Sequence, residues 1–385
     1  MEIKNIIAET VREGRVRVSA TMNDRELWFD FPDRGTLPAT LADSFAIMGL
    51  APSMLKGEAL VVPSEFPVSA TLLSNFEQIQ NILHCWNPIF KHIPVQANPA
   101  SPSPPIAGAA SMYSGGVDSM HTLSVHRSEL THAILIGGFD LDLHADAFEA
   151  SVARNRATVE YLGKELLHVH TNQRAWGATT GVWRTFWHSA YLAAVALFFR
   201  FDRVLIPSSH SYAEIDPSGS HLILDPLWSN GCTEFRHVDA QYHRTDKVAH
   251  LATDPYLLAN LRVCWNDQNA NCGECQKCLR TMVTLDILGV AGPFPRRLSL
   301  GDARSFRPRD WDGLSHLIDN ALFAHAHGRK DLVRASKAAI RRYDRRQALT
   351  YIDRGMLFGL LHRLRKKFRP YDRHGLTSGR PDQDI

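Results

Sequence analysis

The sequence predicts an α/β protein built on a doubly wound, mostly parallel sheet, preceded by a smaller α+β unit and followed by a helical, basic region. Short apolar runs alternate with helical segments through the middle of the chain, which is typical of a parallel sheet with helices on both faces. A length of 385 residues gives room for two or three domains. With 44% apolar and 22% charged residues, the composition excludes fibrous and low-complexity classes.

The first 98 residues form the predicted α+β unit. Apolar and polar residues alternate in 15–18 and again in 26–31, which predicts a β-hairpin. Apolar residues at helical spacing from Leu72 to Trp86 predict a helix that ends near Pro88. Five prolines fall between residues 92 and 105, a composition typical of a linker, which we place at 99–107. The sequence gives no role for this unit, and a protein partner that binds it belongs to the non-catalytic hypothesis below.

The predicted nucleotide-binding domain spans residues 108–300. Its strands are expected at 106–113, 133–136, 166–169 and 204–206, with helices at 118–128, 146–163 and 184–199. The last region, 301–385, is helical and basic, with sixteen Lys or Arg against four Asp between Arg329 and Arg380. A helix with one packed face and one solvated basic face is the favoured interpretation of this region, and a nucleic-acid partner is the less favoured one.

The compartment is expected to be the cytoplasm. The start of the chain lacks the basic-then-apolar pattern of a secretory signal. The longest apolar stretch, 190–199, is about half the length that a membrane span needs. Six cysteines in a chain of this length are too sparse for a disulfide scaffold.

The hexapeptide Ser114-Gly-Gly-Val-Asp-Ser119 lies between the first strand of the predicted sheet and a helix. Two glycines let the backbone turn tightly, and the start of the helix presents N–H donors and the positive end of its dipole. This combination predicts a cradle for phosphate, whereas a simple turn with an Asp-Ser cap is the alternative. No GxxxxGK[ST] motif is present, so the sequence does not predict a P-loop NTPase.

The hexapeptide resembles the SGGxDS signature of the PP-loop ATP pyrophosphatases. That resemblance implies an adenine nucleotide alpha hydrolase-like (HUP-type) fold that binds ATP at the carboxyl ends of a parallel sheet. It also implies cleavage between the α and β phosphates and adenylation of a carbonyl oxygen of the substrate. The residues that it assigns to ATP binding here are Ser114, Gly115, Gly116, Val117, Asp118 and Ser119, and among these Asp118 would act with Mg²⁺.

Four of the six cysteines, Cys264, Cys272, Cys275 and Cys278, form the pattern C-x7-C-x2-C-x2-C. Two-residue spacing lets successive sulfur atoms turn toward one centre, and Gly273 permits the tight turn. Four thiolates suit a closed Zn²⁺ site, and a [4Fe–4S] cluster with the same ligand set stays open as the alternative. Cys85 and Cys232 lie outside the pattern and are expected to be buried thiols.

The phosphate loop followed by this cysteine pattern resembles the 7-cyano-7-deazaguanine synthase (QueC-like) family over about residues 108–290. The resemblance implies a structural zinc and the ATP-driven conversion of a carboxylate to an amide and then a nitrile. It places Phe139, Arg184 and Lys247 in the ATP site, with Lys247 on phosphate. Residues 141–143 and 218–229 depart from the family's segments, so nucleotide activation carries over better than deazaguanine recognition.

Further polar residues follow the strand at 204–206. Asp216 and Asp225 are candidates to position Mg²⁺ or the attacking amine, although an Asp before a proline is equally a turn former. Glu214 lies in the same segment, and His210 is more simply a hydrogen-bonded loop histidine than a catalytic one. The pair His168 and His170 has the spacing of metal ligands on a strand, but nearby carboxylates are missing from the sequence. We expect Trp176, Trp183 and Trp187 to fill core volume.

Three functional hypotheses follow. The first is an ATP-, Mg²⁺- and zinc-dependent ligase that adenylates a small-molecule carboxylate and lets ammonia or an amine displace AMP, with Asp118, Lys247 and Asp225 as its catalytic residues. The second is an RNA thiolation enzyme with an iron–sulfur cluster. The third is a nucleotide-binding module without catalysis in a defence or modification complex. The first is favoured because the loop is intact.

Overall fold

The computed structural model describes residues 1–138, 146–180, 187–264, 266–267, 269–308 and 311–356. The chain divides into two compact units. Unit 1 comprises Met1–Tyr242 and Pro255–Arg262, and unit 2 comprises His243–Asp254 and the chain from Val263 onward. None of the described helices is both long enough and apolar enough to cross a bilayer.

The strands, in chain order, are β1 (Ile3–Arg12), β2 (Arg15–Met22), β3 (Arg25–Pro32), β4 (Leu60–Val61), β5 (Val68–Ser69), β6 (Val95–Gln96), β7 (Pro99–Ala100), β8 (Ile106–Tyr113), β9 (His132–Gly137), β10 (Glu165–Thr171), β11 (Phe201–Pro207) and β12 (Glu234–Val238). The helices are α1 (Ala42–Lys56), α2 (Ala70–Trp86), α3 (Val117–Val125), α4 (Asp146–Tyr161), α5 (Gln173–Ala178), α6 (His188–Ala196), α7 (Arg244–Leu251), α8 (Pro255–Asn260), α9 (Gln276–Leu288), α10 (Leu300–Ser305), α11 (Trp311–Ala326) and α12 (Lys330–Met356). Short 3-10 helices span Leu197–Phe199, Tyr212–Glu214 and Asp225–Trp228.

Unit 1 is an α/β structure around a mixed sheet. Among the described residues, eight strands pair in the order β1-β2-β3-β10-β9-β8-β11-β12. The five strands from β10 to β12 in that order are parallel, and β1, β2 and β3 extend the sheet in antiparallel fashion. The predicted hairpin is therefore present, with Met22 paired to Arg25 across its turn. The four predicted strands of the parallel sheet are present as well.

The parallel strands run outward in chain order on both sides of β8. β9 and β10 lie on one side of β8, and β11 and β12 lie on the other. The winding direction of the chain thus reverses between β8 and β11. In open α/β sheets, ligands bind outside the carboxyl ends of the strands at such a reversal. The segment that follows Tyr113, the last residue of β8, therefore occupies the position where this class of fold binds its ligand.

The antiparallel strands share one hydrophobic core with the parallel strands. Residues Asp30 and Phe29 of β3 pair with β10. The Phe31 ring stacks on Phe198 at 4.8 Å between centroids, and Phe29 lies 5.1 Å from the same ring. The predicted linker at 99–107 lies inside unit 1, because β7 pairs with β5 and β8 already begins at Ile106. The first 98 residues therefore belong to the same compact unit as the parallel sheet.

Unit 2 is helical. Leu279 and Met282 of α9 pack with Leu317 of α11 and Ala339 of α12 in one of its apolar clusters. The helix α12 is amphipathic, as favoured from the sequence: its buried face carries residues such as Leu332, and residues 334, 337, 341 and 345 are exposed basic side chains on the opposite face. Residues 357–385, which carry the rest of the basic segment, lie outside the described part of the chain.

Candidate functional site

The candidate phosphate loop connects β8 to α3, as the sequence predicts. Ser114 follows the last residue of β8, and Gly116 is the N-cap of α3. The Ser119 hydroxyl accepts the N–H of Ser114 at 3.1 Å and donates to the carbonyl of Gly116 at 3.2 Å. Both serines that the resemblance assigns to phosphate binding thus also define the shape of the loop.

Gly115 adopts a conformation that other residues avoid. Its φ is +72°, and a Cβ built on its backbone would lie 2.6 Å from Oδ1 of Asn155. Asn155 is buried on α4, where its amide nitrogen donates to the carbonyl of Ser151 at 2.8 Å. Both the backbone angle and this side chain therefore require glycine at position 115. Asn155 is a determinant of the loop that the sequence patterns did not reveal.

The start of α3 suits an anion. The first N–H groups of a helix have no partner within the helix, and the dipole adds positive charge there. Gly116 has no side chain that could cap those groups. Ser114 is exposed, and Gly116 and Asp118 are half-buried, so the loop is accessible from solvent. This arrangement can bind phosphate or another small anion.

Arg262 contacts the loop through its backbone. Its N–H donates to the carbonyl of Gly115 at 3.0 Å, and its own carbonyl oxygen lies 3.8 Å from the Cβ position of Gly116. Arg262 is half-buried and ends the short segment that begins with α8. It is 147 residues away from Gly115 along the chain. The backbone of this residue therefore packs against the loop, and no sequence motif marked it.

The segment after β11 lies at the neighbouring strand end. The N–H of Ser208 donates a hydrogen bond to the carbonyl of Val238, the last residue of β12, at 2.9 Å. Ser208 also donates from its hydroxyl to the carbonyl of His210 at 2.5 Å. Glu214 accepts from the N–H and hydroxyl of Ser211 and thereby caps the 3-10 helix Tyr212–Glu214. Glu214 thus stabilises the start of this 3-10 helix. Asp216 is a half-buried loop residue.

Asp225 is fully buried and holds three neighbouring residues through hydrogen bonds. Its carboxylate accepts from the Ser220 hydroxyl at 2.9 Å and from the His221 N–H at 3.0 Å. It also lies 2.8 Å from Nδ1 of His237, at the end of β12. A carboxylate at Nδ1 fixes the orientation of an imidazole and leaves Nε2 as its other polar atom. His237 was not singled out in the sequence, because its partner is twelve residues away and on another element.

The resemblance implies three other residues of the ATP site: Phe139, Arg184 and Lys247. Lys247 is on α7 in unit 2, and its side chain is buried, with 1% exposure. Phe139 and Arg184 lie outside the described residues, as does Trp183. Their assignment to the ATP site stays a prediction.

A second acidic residue, Asp239, lies against α3. It follows β12 directly, is 3% exposed, and accepts a hydrogen bond from the Thr122 hydroxyl. Its other oxygen lies 3.0 Å from Nε2 of His126. Burial alone would raise the pKa of Asp239, but hydrogen bonds from His121, His126 and Thr122 hold that pKa well below its usual range. The carboxylate is therefore ionised at neutral pH.

The histidine pair on β10 is surrounded by positive charge. His168 has its Nε2 3.1 Å from Nη1 of Arg15 and its Nδ1 3.4 Å from Nη2 of Arg156. Burial, with the Arg15 charge in addition, lowers the pKa of His168 to about 4. These guanidinium groups disfavour a cation at the pair. Trp176 and Trp187 are buried in the core, as expected. Cys232 is buried as expected, whereas the expectation was wrong for Cys85, which is exposed on α2.

The four cysteines of the predicted metal site lie together in unit 2. Their sulfur atoms are all within 4.8 Å of one another, at the start of α9 and in the segment before it. The Sγ atoms of Cys272 and Cys278 are 3.9 Å apart, and those of Cys264 and Cys275 are also 3.9 Å apart. A tetrahedron with Zn–S bonds of about 2.3 Å has edges of about 3.8 Å. The spacing therefore fits a single tetrahedral ion such as zinc.

Backbone N–H groups surround these sulfur atoms. Sγ of Cys272 accepts from the N–H groups of Glu274 and Cys275 at 3.4 and 3.3 Å. Sγ of Cys275 accepts from the N–H of Cys278 at 3.5 Å, and Sγ of Cys264 accepts from Asn266 at 3.3 Å. Such donors favour the thiolate form that binds a metal. A cubane cluster holds its thiolates on four separate irons and would spread them further apart than a single ion does.

Comparison with known proteins adds no relative: no protein-family model, no curated protein and no solved structure matches the chain.

Proposed function

We propose that this protein is an ATP-dependent adenylating ligase of the PP-loop type, which activates the carboxylate of a small molecule and transfers the acyl group to ammonia or an amine. The observation that carries the proposal is the Ser-Gly-Gly-Val-Asp-Ser loop at the carboxyl end of β8, where the winding of the parallel sheet reverses. The strand, loop and helix have the order that the PP-loop resemblance requires.

The reaction has two steps in this proposal. A carboxylate oxygen of the substrate attacks the α-phosphorus of ATP, the bond to the β-phosphate oxygen breaks, and an acyl adenylate and pyrophosphate result. The nitrogen of ammonia or of an amine then attacks the acyl carbon, and AMP leaves. Neither step needs a nucleophile from the protein, so positioning and charge stabilisation supply the rate enhancement.

The loop would hold the β and γ phosphates that leave as pyrophosphate. The N–H groups at the start of α3 would donate to the phosphate oxygens, with the hydroxyls of Ser114 and Ser119 beside them. Asp118 lies in the first turn of α3, half-buried, and is the proposed partner of the Mg²⁺ that accompanies ATP. Arg262 would add positive charge next to the loop, where negative charge accumulates on the departing pyrophosphate.

Zinc would have a structural role in this proposal. The cysteines Cys264, Cys272, Cys275 and Cys278 would hold one Zn²⁺, which supplies a cross-link within unit 2 and no chemistry. The 3.9 Å sulfur separations favour this over the iron–sulfur cluster of the thiolation hypothesis. The proposed acyl substrate, by resemblance, is a 7-carboxy-7-deazaguanine.

The test is product analysis with labelled substrate. The zinc-loaded protein is incubated with Mg-ATP, ammonia and 7-carboxy-7-deazaguanine whose carboxylate carries ¹⁸O, and the products are analysed by mass spectrometry. We expect AMP and pyrophosphate, one ¹⁸O atom in each AMP, and a new amide. A nitrile forms if the amide oxygen then attacks the α-phosphorus of a second ATP and leaves with a second AMP. Asp118→Ala should abolish the products, whereas Glu77→Ala, which removes an exposed carboxylate on α2, should not.

The possible outcomes separate the parts of the proposal. AMP without modified deazaguanine would retain adenylation and reject this substrate. ADP and phosphate in place of AMP and pyrophosphate would reject the PP-loop chemistry. ATP binding with no turnover for a panel of carboxylates would favour the non-catalytic module.

A further inference from the structure

Asp239 occupies a strained position directly after β12. Its φ is +67°, in the left-handed region that residues other than glycine rarely adopt. The side chain is almost fully buried and reaches three side chains of α3 and its C-cap. It accepts from the Thr122 hydroxyl, lies 3.0 Å from Nε2 of His126, and lies 3.5 Å from Nδ1 of His121.

These contacts all fall on the helix that begins with the phosphate loop. Residues three and four apart share a helix face, so Asp118, His121 and Thr122 lie on one face of α3. Asp239 therefore holds the same face that carries Asp118 one turn earlier. The N-terminal end of α3 supplies the N–H groups of the anion site.

We infer that Asp239 is a positioning residue: by fixing α3 from the end of β12, it sets the geometry of the phosphate loop. The effect of Asp239 on nucleotide binding rests on the proposed function. Its effect on the shape of the loop rests on the contacts of α3 alone. The contacts of Asp239 fall on α3 and on its C-cap, so Asp239 acts on the loop through α3.

Stability alone does not account for this residue. A buried carboxylate loses its hydration, and apolar residues of similar size often serve stability as well or better. A left-handed backbone is uncommon at residues other than glycine, although Asp and Asn adopt it more readily than the others. The ring of Tyr242 lies edge-on to that of His121, at 5.0 Å between centroids, and adds a packing contact to α3.

The positioning should depend on pH through His126. Nδ1 of His126 lies 2.6 Å from Glu129, whose second oxygen lies 3.1 Å from Arg203 of β11. The hydrogen bond to Asp239 raises the pKa of His126, and Glu129 adds to that shift. The protonated ring donates to both carboxylates, whereas the neutral ring has one N–H and can donate to only one. Raising the pH through the pKa of His126 should therefore loosen α3.

The experiment compares wild type, Asp239→Asn and Thr122→Val by hydrogen–deuterium exchange in the full-length protein. Thr122→Val removes one donor and guards against an Asp239→Asn protein that does not fold. We expect the amides of α3 to exchange at least about tenfold faster in Asp239→Asn, since a charge-assisted hydrogen bond is lost, while α4 is unchanged. After correction for chemical exchange, protection of α3 in wild type should fall as pH rises from about 6 to 9, and this dependence should disappear in Asp239→Asn.

Binding of Mg-ATP to the same proteins, measured by calorimetry, separates the two proposals. Weaker ATP binding in Asp239→Asn together with faster exchange in α3 supports both. Absence of ATP and pyrophosphate binding in wild type would overturn the proposed function, and the exchange of α3 would still decide whether Asp239 fixes the loop. Equal protection of α3 in wild type and both variants, or faster exchange spread evenly over unit 1, would overturn the inference.

Discussion

The substitution Gly115→Ala tests the geometry of the phosphate loop. An alanine at φ +72° costs about 1–2 kcal/mol in backbone strain. Its Cβ would lie 2.6 Å from Oδ1 of Asn155, so the two atoms must separate by at least 0.4 Å to reach the 3.0 Å that real Cβ contacts respect. Because Asn155 is held by its 2.8 Å bond to Ser151, the movement weakens that bond and adds about 1 kcal/mol. We expect a total loss of about 2–3 kcal/mol.

The assay is urea unfolding followed by tryptophan fluorescence, with Gly163→Ala as the matched control. Gly163 also lies in unit 1 and has φ +74°, but a Cβ there meets nothing within 4 Å, so it isolates the backbone term. The double variant Gly115→Ala/Asn155→Ala should show a coupling of about 1 kcal/mol, because the second change removes the clashing atom. Equal losses at Gly115 and Gly163, with no coupling to Asn155, would refute this account of the loop.

Two further predictions concern the metal site and the pH dependence of stability. Metal analysis should give one zinc and no iron per chain, and a brown, iron-containing protein would contradict this. The Cys278→Ser variant should lose the metal and have a lower melting temperature. The Cys85→Ser variant, which changes an exposed thiol outside the cluster, should retain the zinc. The pKa of His168 is about 4 in the folded protein, against about 6.5 in the unfolded chain. Because the unfolded state takes up the proton first, the free energy of unfolding should fall as the pH drops from about 6.5 to 4. The contribution of this residue is less than about 3 kcal/mol. Urea unfolding at several pH values should show a shallower decline for His168→Gln, and an unchanged slope would disprove the assignment.

Periodicity predicted the elements whose faces differ in polarity. The strand β2 alternates in burial, and β3 alternates in sequence, although its Asp30 is buried in an ion pair with Arg15. The helix α2 buries Leu72, Phe76 and Ile79 at helical spacing, and the parallel strands are short apolar runs between helices. The helix α1 was missed because nearly all of its residues are buried, so it has no polar face, and because Pro52 lies inside it. The strand β1 was missed because most of its residues are exposed and its pairing with β2 contains bulges.

Local motifs predicted the parts of the site that are contiguous in sequence. The loop at 114–119 and the cysteines from Cys264 to Cys278 lie in the structure as their spacing indicates. The residues that contact the loop or α3 are distant in sequence: Asn155 comes from α4, Asp239 follows β12, and Arg262 follows α8. A single sequence carries no signal for such contacts, because each arises from the packing of separate elements.

The most direct test of the central claim is a crystal structure of the zinc-loaded protein with Mg²⁺ and an ATP analogue that cannot be cleaved between the α and β phosphates. The account predicts the triphosphate at the start of α3, with its oxygens on the N–H groups of residues 116–119 and on the hydroxyls of Ser114 and Ser119. A nucleotide bound elsewhere on the chain, with the loop unchanged and free of phosphate, would contradict it.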